Sequence, residues 1–178
     1  RSLGRFDTFL RKTGLSNQEA VRMHHVEPFF KYDQSILFVP AMKALPAGKF
    51  QSEHLKETLT LLPDLLLPHS GTLVLFTSRH AMNHIFDHLS PELQSNILVQ
   101  GFSNKSKLIQ THKTRIRRGS RSIIFGLTSF AEGLDLPADF CEHVIIHKLP
   151  FSVPSHPIAL TRSEWIEQNN RNPFVLAA

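Results

Sequence analysis

Residues 71–150 read GTLVLFTSRHAMNHIFDHLSPELQSNILVQGFSNKSKLIQTHKTRIRRGSRSIIFGLTSFAEGLDLPADFCEHVIIHKLP, and this stretch decides the fold. Thr72-Leu-Val-Leu-Phe76 is an apolar run too short for a helix and suited to a strand buried on both faces. Residues 78–89 follow with Met82, Ile85, Phe86 and Leu89 on one helical face, and Ser90-Pro91 punctuates the chain. Residues 96–99 read as a second strand closed by Gly101. Residues 103–118 read as a basic helix with Leu108, Ile109, His112 and Ile116 inward, stopped by Gly119. Ser122-Ile-Ile-Phe125 and His143-Val-Ile-Ile146 complete the strands. Strand, helix, strand, helix, strand, loop, strand predicts an α/β domain with a mostly parallel sheet flanked by helices. Ligands of such sheets sit at the carboxyl ends of the strands, here 76–78, 100–101, 126–129 and 147–148.

Outward from this core the pattern weakens. Residues 3–11 predict a short helix stopped at Thr13-Gly14, 36–39 a strand ended by Pro40, and 52–62 a helix. The Pro- and Ala-rich segment 40–48 predicts a loop. After Pro150, with Pro154, Pro157 and Pro173, the chain reads as irregular. The whole is 178 residues, enough for one self-supporting core without staples. No apolar run is long enough to span a bilayer. A single cysteine, Cys141, excludes an intrachain disulfide or Cys-only metal site, and it suits a reducing, cytoplasmic setting.

Net charge is +5, but its distribution says more. Between Glu92 and Glu132 no acidic residue occurs, while Lys105, Lys107, Lys113, Arg115, Arg117, Arg118 and Arg121 do. Such a stretch attracts polyanions or forms a solvated helix face. Around Gly48-Lys49, Lys43 stands where a phosphate loop needs its first glycine and Phe50 replaces the metal-binding hydroxyl, so no Walker A is present. His80, His84 and His88 recur at four-residue spacing, opposite the apolar stripe, and predict a solvent face rather than a metal site.

The richest segment is 125–137, where a strand runs into hydroxyls, a carboxylate, a glycine and an aspartate. Thr128 and Ser129 can donate to phosphate, and Gly133 lets backbone approach a ligand closely. Thr128-Ser-Phe-Ala-Glu-Gly-Leu-Asp-Leu-Pro137 closely resembles motif V of superfamily 2 helicases of the DinG and XPD kind. Leu73-Val-Leu-Phe-Thr-Ser78 is similar to their motif IV strand, Ile97-Leu-Val-Gln-Gly101 to the strand after it. His143 to Phe151 is similar to the segment following motif V. Arg1-Ser-Leu-Gly-Arg-Phe6 and 161–174, with Glu164-Trp165 and Asn172-Pro-Phe174, extend the resemblance over nearly the whole chain.

The resemblance implies a RecA-like (P-loop NTPase type) second motor domain of an ATP-dependent 5′-to-3′ DNA helicase. Within it, 1–70 would be an irregular flank, 71–150 the core and 151–178 the start of a C-terminal segment. It further implies DNA contacts from Thr77, Ser78, Arg79, Thr128 and Ser129, and a nucleotide-facing role for Glu132, Gly133 and Asp135. Asp135 would accept from a ribose, pair with an arginine motif, or brace its loop against its own domain. Trp165 is expected to pack rather than to stack on bases. The implied cofactors, ATP and Mg, and an iron–sulfur cluster belong chiefly to a first motor domain, as does the Walker A. The chain ends at Ala178, before the Arg-bearing motif VI, so it is expected to be an incomplete, inactive half of a motor. The partners expected are single-stranded DNA and that first domain, with no membrane and a monomeric chain. Two other readings stay open: a stand-alone nucleic-acid-binding module, and a docking domain for a repair protein.

Overall fold

The computed structural model describes residues 10, 14–15, 35–46, 48–66, 71–150 and 157–168. The chain divides into two compact units, Arg1–Ala41 and Met42–Ala178. In the first, Leu10 is helical, Gly14 has φ +72° and the Leu15 N–H donates to the Leu10 carbonyl at 2.9 Å. This is the stop expected at Thr13-Gly14; the rest of the 3–11 helix lies outside the described residues. The strand expected over 36–39 is a correction. Residues 35–40 form no strand, and Ile36 and Leu37 are 94% and 88% exposed. An extended run becomes a strand only where a neighbouring backbone supplies ladder hydrogen bonds, and 36–39 makes none with the described residues.

In the second unit, helix α1 (Gln51–Leu66) leads into β1 (Gly71–Phe76), followed by α2 (Arg79–His88), α3 (Pro91–Asn96) and β2 (Ile97–Val99). Helix α4 (Lys105–Arg117), β3 (Ser122–Leu127), β4 (His143–Ile146) and α5 (Pro157–Gln168) complete it. The four strands form one sheet in the order β2-β3-β1-β4. Every pairing is parallel, with Gly71 opposite Ser122, Thr72 opposite His143 and Ile97 opposite Ile123. This is the α/β, RecA-like architecture the sequence predicts.

Alternating side chains along the strands build two cores. On one face Val74, Phe76, Ile97, Val99, Ile123 and Phe125 meet α1 and α2, whose Leu62, Leu66, Met82 and Ile85 are buried. On the other, Leu73 and Ile124 meet Leu108 of α4 and Phe130. Central β3 is buried through Gly126, whereas edge strand β4 alternates half-buried with exposed residues.

Three helices depart from the sequence pattern. Helix α1 passes through Pro63 to Leu66, where the pattern ends it at Leu62. Leu62 and Leu66 are 2% and 0% exposed, and burying two leucines, about 1.5–3 kcal/mol each, offsets a helix-interior proline costing about 3 kcal/mol. Ser90-Pro91 opens α3: the Ser90 hydroxyl accepts from the Leu93 N–H at 3.4 Å and Pro91 occupies the first turn. Helix α5 lies in the tail read as irregular, starting at Pro157 for the same reason.

Candidate nucleic-acid interface

Because the strands are parallel, their carboxyl ends line one edge of the sheet. In order across it come 100–101, 128–129, 77–79 and 147–148. Residues far apart in sequence, Thr77, Ser78 and Arg79 after β1 and Thr128 and Ser129 after β3, thereby follow neighbouring strands.

Each is held by a local device. Ser78 is the N-cap of α2, and its Oγ accepts from the Ala81 N–H at 3.2 Å. Arg79, exposed, opens the helix, and its guanidinium lies against Gly101, where a Cβ would stand 2.8 Å from Nη1. With φ +104°, Gly101 supplies both the turn after β2 and the room for that arginine. Thr77, Thr128 and Ser129 are exposed. The last two lie in a 3₁₀ turn (Thr128–Phe130) closed by the Ala131 N–H on the Thr128 carbonyl at 3.0 Å.

The turn is seated by Phe130, 3% exposed, which packs against the backbone of Gly126 so closely that a Cβ there would lie 2.7 Å from the phenylalanine Cβ. Lys105 Nζ covers the same ring at 5.3 Å. Beyond it Leu134 and Leu136 turn into the smaller core while Glu132, Gly133 and Asp135 face solvent. Gly133 takes φ +70°. Asp135 Oδ2 lies 3.6 Å from Lys113 Nζ of α4, with the aspartate 92% exposed. That surface pair, worth at most about 1 kcal/mol, links the loop to α4.

The loop is then tied back to the start of the sheet. His112 of α4, fully buried, reaches the Phe140 carbonyl through Nε2 (2.7 Å) and the Ser122 hydroxyl through Nδ1 (2.9 Å). A carbonyl only accepts, so Nε2 carries the proton and Nδ1 accepts from the serine. Burial holds the imidazole below its ordinary range, against an upward pull from the Phe140 hydrogen bond. The Glu142 N–H donates to the Gly71 carbonyl at 3.1 Å.

Sequence reading missed Gln100. Its Oε1 accepts from the Leu127 N–H at 2.7 Å and its Nε2 donates to Ser129 Oγ at 2.9 Å, clamping the hydroxyl-bearing turn to the end of β2. Only the order of strands reveals that neighbour, and local pattern does not supply it. The basic helix is also more occupied than its composition suggests. Arg115 donates to the Ser95 carbonyl at 3.1 Å, and Lys113 and Arg117 cover the Phe140 ring at 5.5 and 5.3 Å.

His80, His84 and His88 stack along the outer side of α2, with ring centroids 6.1 and 4.3 Å apart. Among the described residues no group of three or more His, Cys, Asp or Glu could hold a metal. Trp165 lies on α5 and is 62% exposed. No helix among the described residues is long and apolar enough to cross a membrane.

A parallel sheet with its hydroxyl turns gathered on one edge is the arrangement in which α/β domains bind ligands, and sequence comparison narrows the class. The profile of the helicase C-terminal domain matches residues 65–178, and the chain belongs to that family. Among its relatives, the ATP-dependent DNA helicase DinG of Photobacterium profundum is 36% identical over 179 aligned positions. Those positions cover 98% of this chain and 25% of the relative. The DinG proteins of Escherichia coli (strain K12) and Salmonella typhimurium are each 34% identical over 177 positions, with the same coverage. The chain thus spans about a quarter of the length of the curated relatives it matches.

Proposed function

We propose that the intact protein is a cytoplasmic ATP-dependent 5′-to-3′ DNA helicase in which this chain, itself monomeric, forms part of the second motor domain. What carries the reading is the convergence of Thr77, Ser78 and Arg79 with Thr128 and Ser129 at the ends of adjacent strands β1 and β3. Hydroxyls, backbone N–H groups and one guanidinium on an exposed edge suit phosphate oxygens, and such contacts follow a strand without reading its sequence. That is what a translocating motor needs.

Glu132, Gly133 and Asp135 form one wall of the nucleotide cleft. The two carboxylates only accept hydrogen bonds, so they do not hold a triphosphate by themselves. ATP and Mg bind chiefly to the first motor domain, the partner across the cleft, which also carries the iron–sulfur cluster. This chain contributes DNA contacts and the link between those contacts and the cleft.

The test is ATP hydrolysis by the intact protein, with and without single-stranded DNA, in the wild type and in a Glu132→Gln, Asp135→Asn double variant. DNA-stimulated hydrolysis that is lost in the variant, with folding and DNA binding kept, is the expected result. A wild type that DNA does not stimulate would overturn the motor reading and leave a nucleic-acid-binding module. Hydrolysis unchanged by the substitutions would keep the motor and remove the roles of Glu132 and Asp135.

A further inference from the structure

Gln100 stands where β2 has ended. Its own N–H still donates to the Phe125 carbonyl at 2.9 Å, as the last rung of the β2–β3 ladder. Its side chain then reaches two and four residues further along the neighbour, to Leu127 and Ser129. The orientation of the amide follows from chemistry. The Leu127 N–H can only donate, so the atom 2.7 Å from it is the carbonyl oxygen, and the NH₂ must face Ser129 Oγ. Ser129 therefore receives a hydrogen bond on one lone pair. Its own O–H hydrogen cannot be aimed at the group donating to it, so it points away from Gln100. Ser129 is exposed, so that hydrogen is free to reach a group lying on the sheet edge.

We infer that Gln100 is a positioning residue for strand binding: it fixes the Ser129 turn and turns the serine hydroxyl into a donor aimed at a phosphate oxygen. The inference rests on the proposed DNA contact of Ser129. It goes beyond that contact in assigning the direction of the hydrogen bond and the residue that sets it. A hydroxyl that is already accepting is also a better donor, because hydrogen bonds in a chain polarise one another.

Gln100→Glu separates orientation from mere bracing. The carboxylate keeps the acceptor for the Leu127 N–H but loses the donor to Ser129, so the serine hydroxyl turns inward to donate to it. The readouts on the intact protein are binding of a labelled oligothymidylate and the DNA concentration giving half-maximal ATPase stimulation. Gln100→Glu should weaken binding by about tenfold, the worth of one hydrogen bond to a charged acceptor. The change should fall on the half-saturating DNA concentration rather than on the maximal stimulated rate. Because the added charge could also repel DNA, the same change is made in a Ser129→Ala background. Gln100→Glu should have little further effect there, since the hydroxyl it redirects is gone. An equal loss in both backgrounds would reduce the effect to charge, and no loss in either would reduce Gln100 to a brace; each overturns the inference. Ser129→Ala alone should weaken binding to a similar extent, and wild-type affinity in that variant would overturn it independently. If the wild type neither binds DNA nor is stimulated by it, the DNA reading itself falls, an outcome distinct from these.

Discussion

His112 is fully buried, yet both of its ring nitrogens are used, one on a strand and one on a loop. In the sequence it is one more member of the inward stripe of a helix, and nothing local marks it as a fastener. Replacing it with leucine keeps the bulk but strands the buried Ser122 hydroxyl and the Phe140 carbonyl. The cost should be about 2–4 kcal/mol, measured as a fall in the denaturant midpoint with the slope unchanged. Gln100 teaches the same lesson. It was visible as a strand end, but its importance depends on which strand lies alongside. That 77–79 and 128–129 follow strand ends was legible from the apolar runs before them, whereas the residues holding them in place are tertiary facts.

At the scale of elements, α2 and α4 occupy the residues their periodicity predicts to within two positions, because each shows one apolar stripe and a clear stop. The stop of α4 is explicit: the Gly119 and Ser120 N–H groups donate to the Ile116 and Arg115 carbonyls at 2.9 and 3.0 Å. Helices α3 and α5 were hidden because a proline can open a helix as well as end one. The cationic side of α4 is partly a packing surface. Arg117→Ala should therefore cost about 0.5–1 kcal/mol through its lost contact with the Phe140 ring, read as a lower melting temperature. Stability unchanged by that substitution would return Arg117 to the polyanion-attracting role that composition suggests.

Over the second unit as a whole, stability should depend on pH through His147, at the end of β4. Its ring packs against Phe76 (5.2 Å between centroids) and edge-on to His54 (5.0 Å), and among the described residues neither of its nitrogens has a hydrogen-bond partner. Burial, followed by repulsion from His54 and Lys148, lowers its pKa to about 4. A base depressed in the fold binds fewer protons there than in the unfolded chain. Its contribution is thus complete above about pH 6.5 and is lost as pH falls toward 4, a change on the order of 3 kcal/mol. Unfolding free energy measured from pH 7 to 4 should fall along that window, and His147→Phe should flatten the curve. The sheet that sets this environment was legible from four apolar runs and their spacing, but its strand order was not. The partnership of His54 with His147 follows only from that order.

The loop from 128 to 142 is fastened at both ends, by Gln100 and Phe130 at one and by His112 and the Gly71 carbonyl at the other. Between them Glu132, Gly133 and Asp135 are exposed, with the Lys113–Asp135 ion pair the one side-chain contact of the three among the described residues, while Leu134 and Leu136 pack inward. A span with fixed ends has already lost most of its closure entropy in the act of folding. A ligand or partner domain that settles on its middle has only a few dihedral angles left to order. Affinity for that stretch can then be spent on contacts rather than on freezing a free segment. Lengthening the span by a few residues would leave every fastening intact and still weaken such a partner's grip.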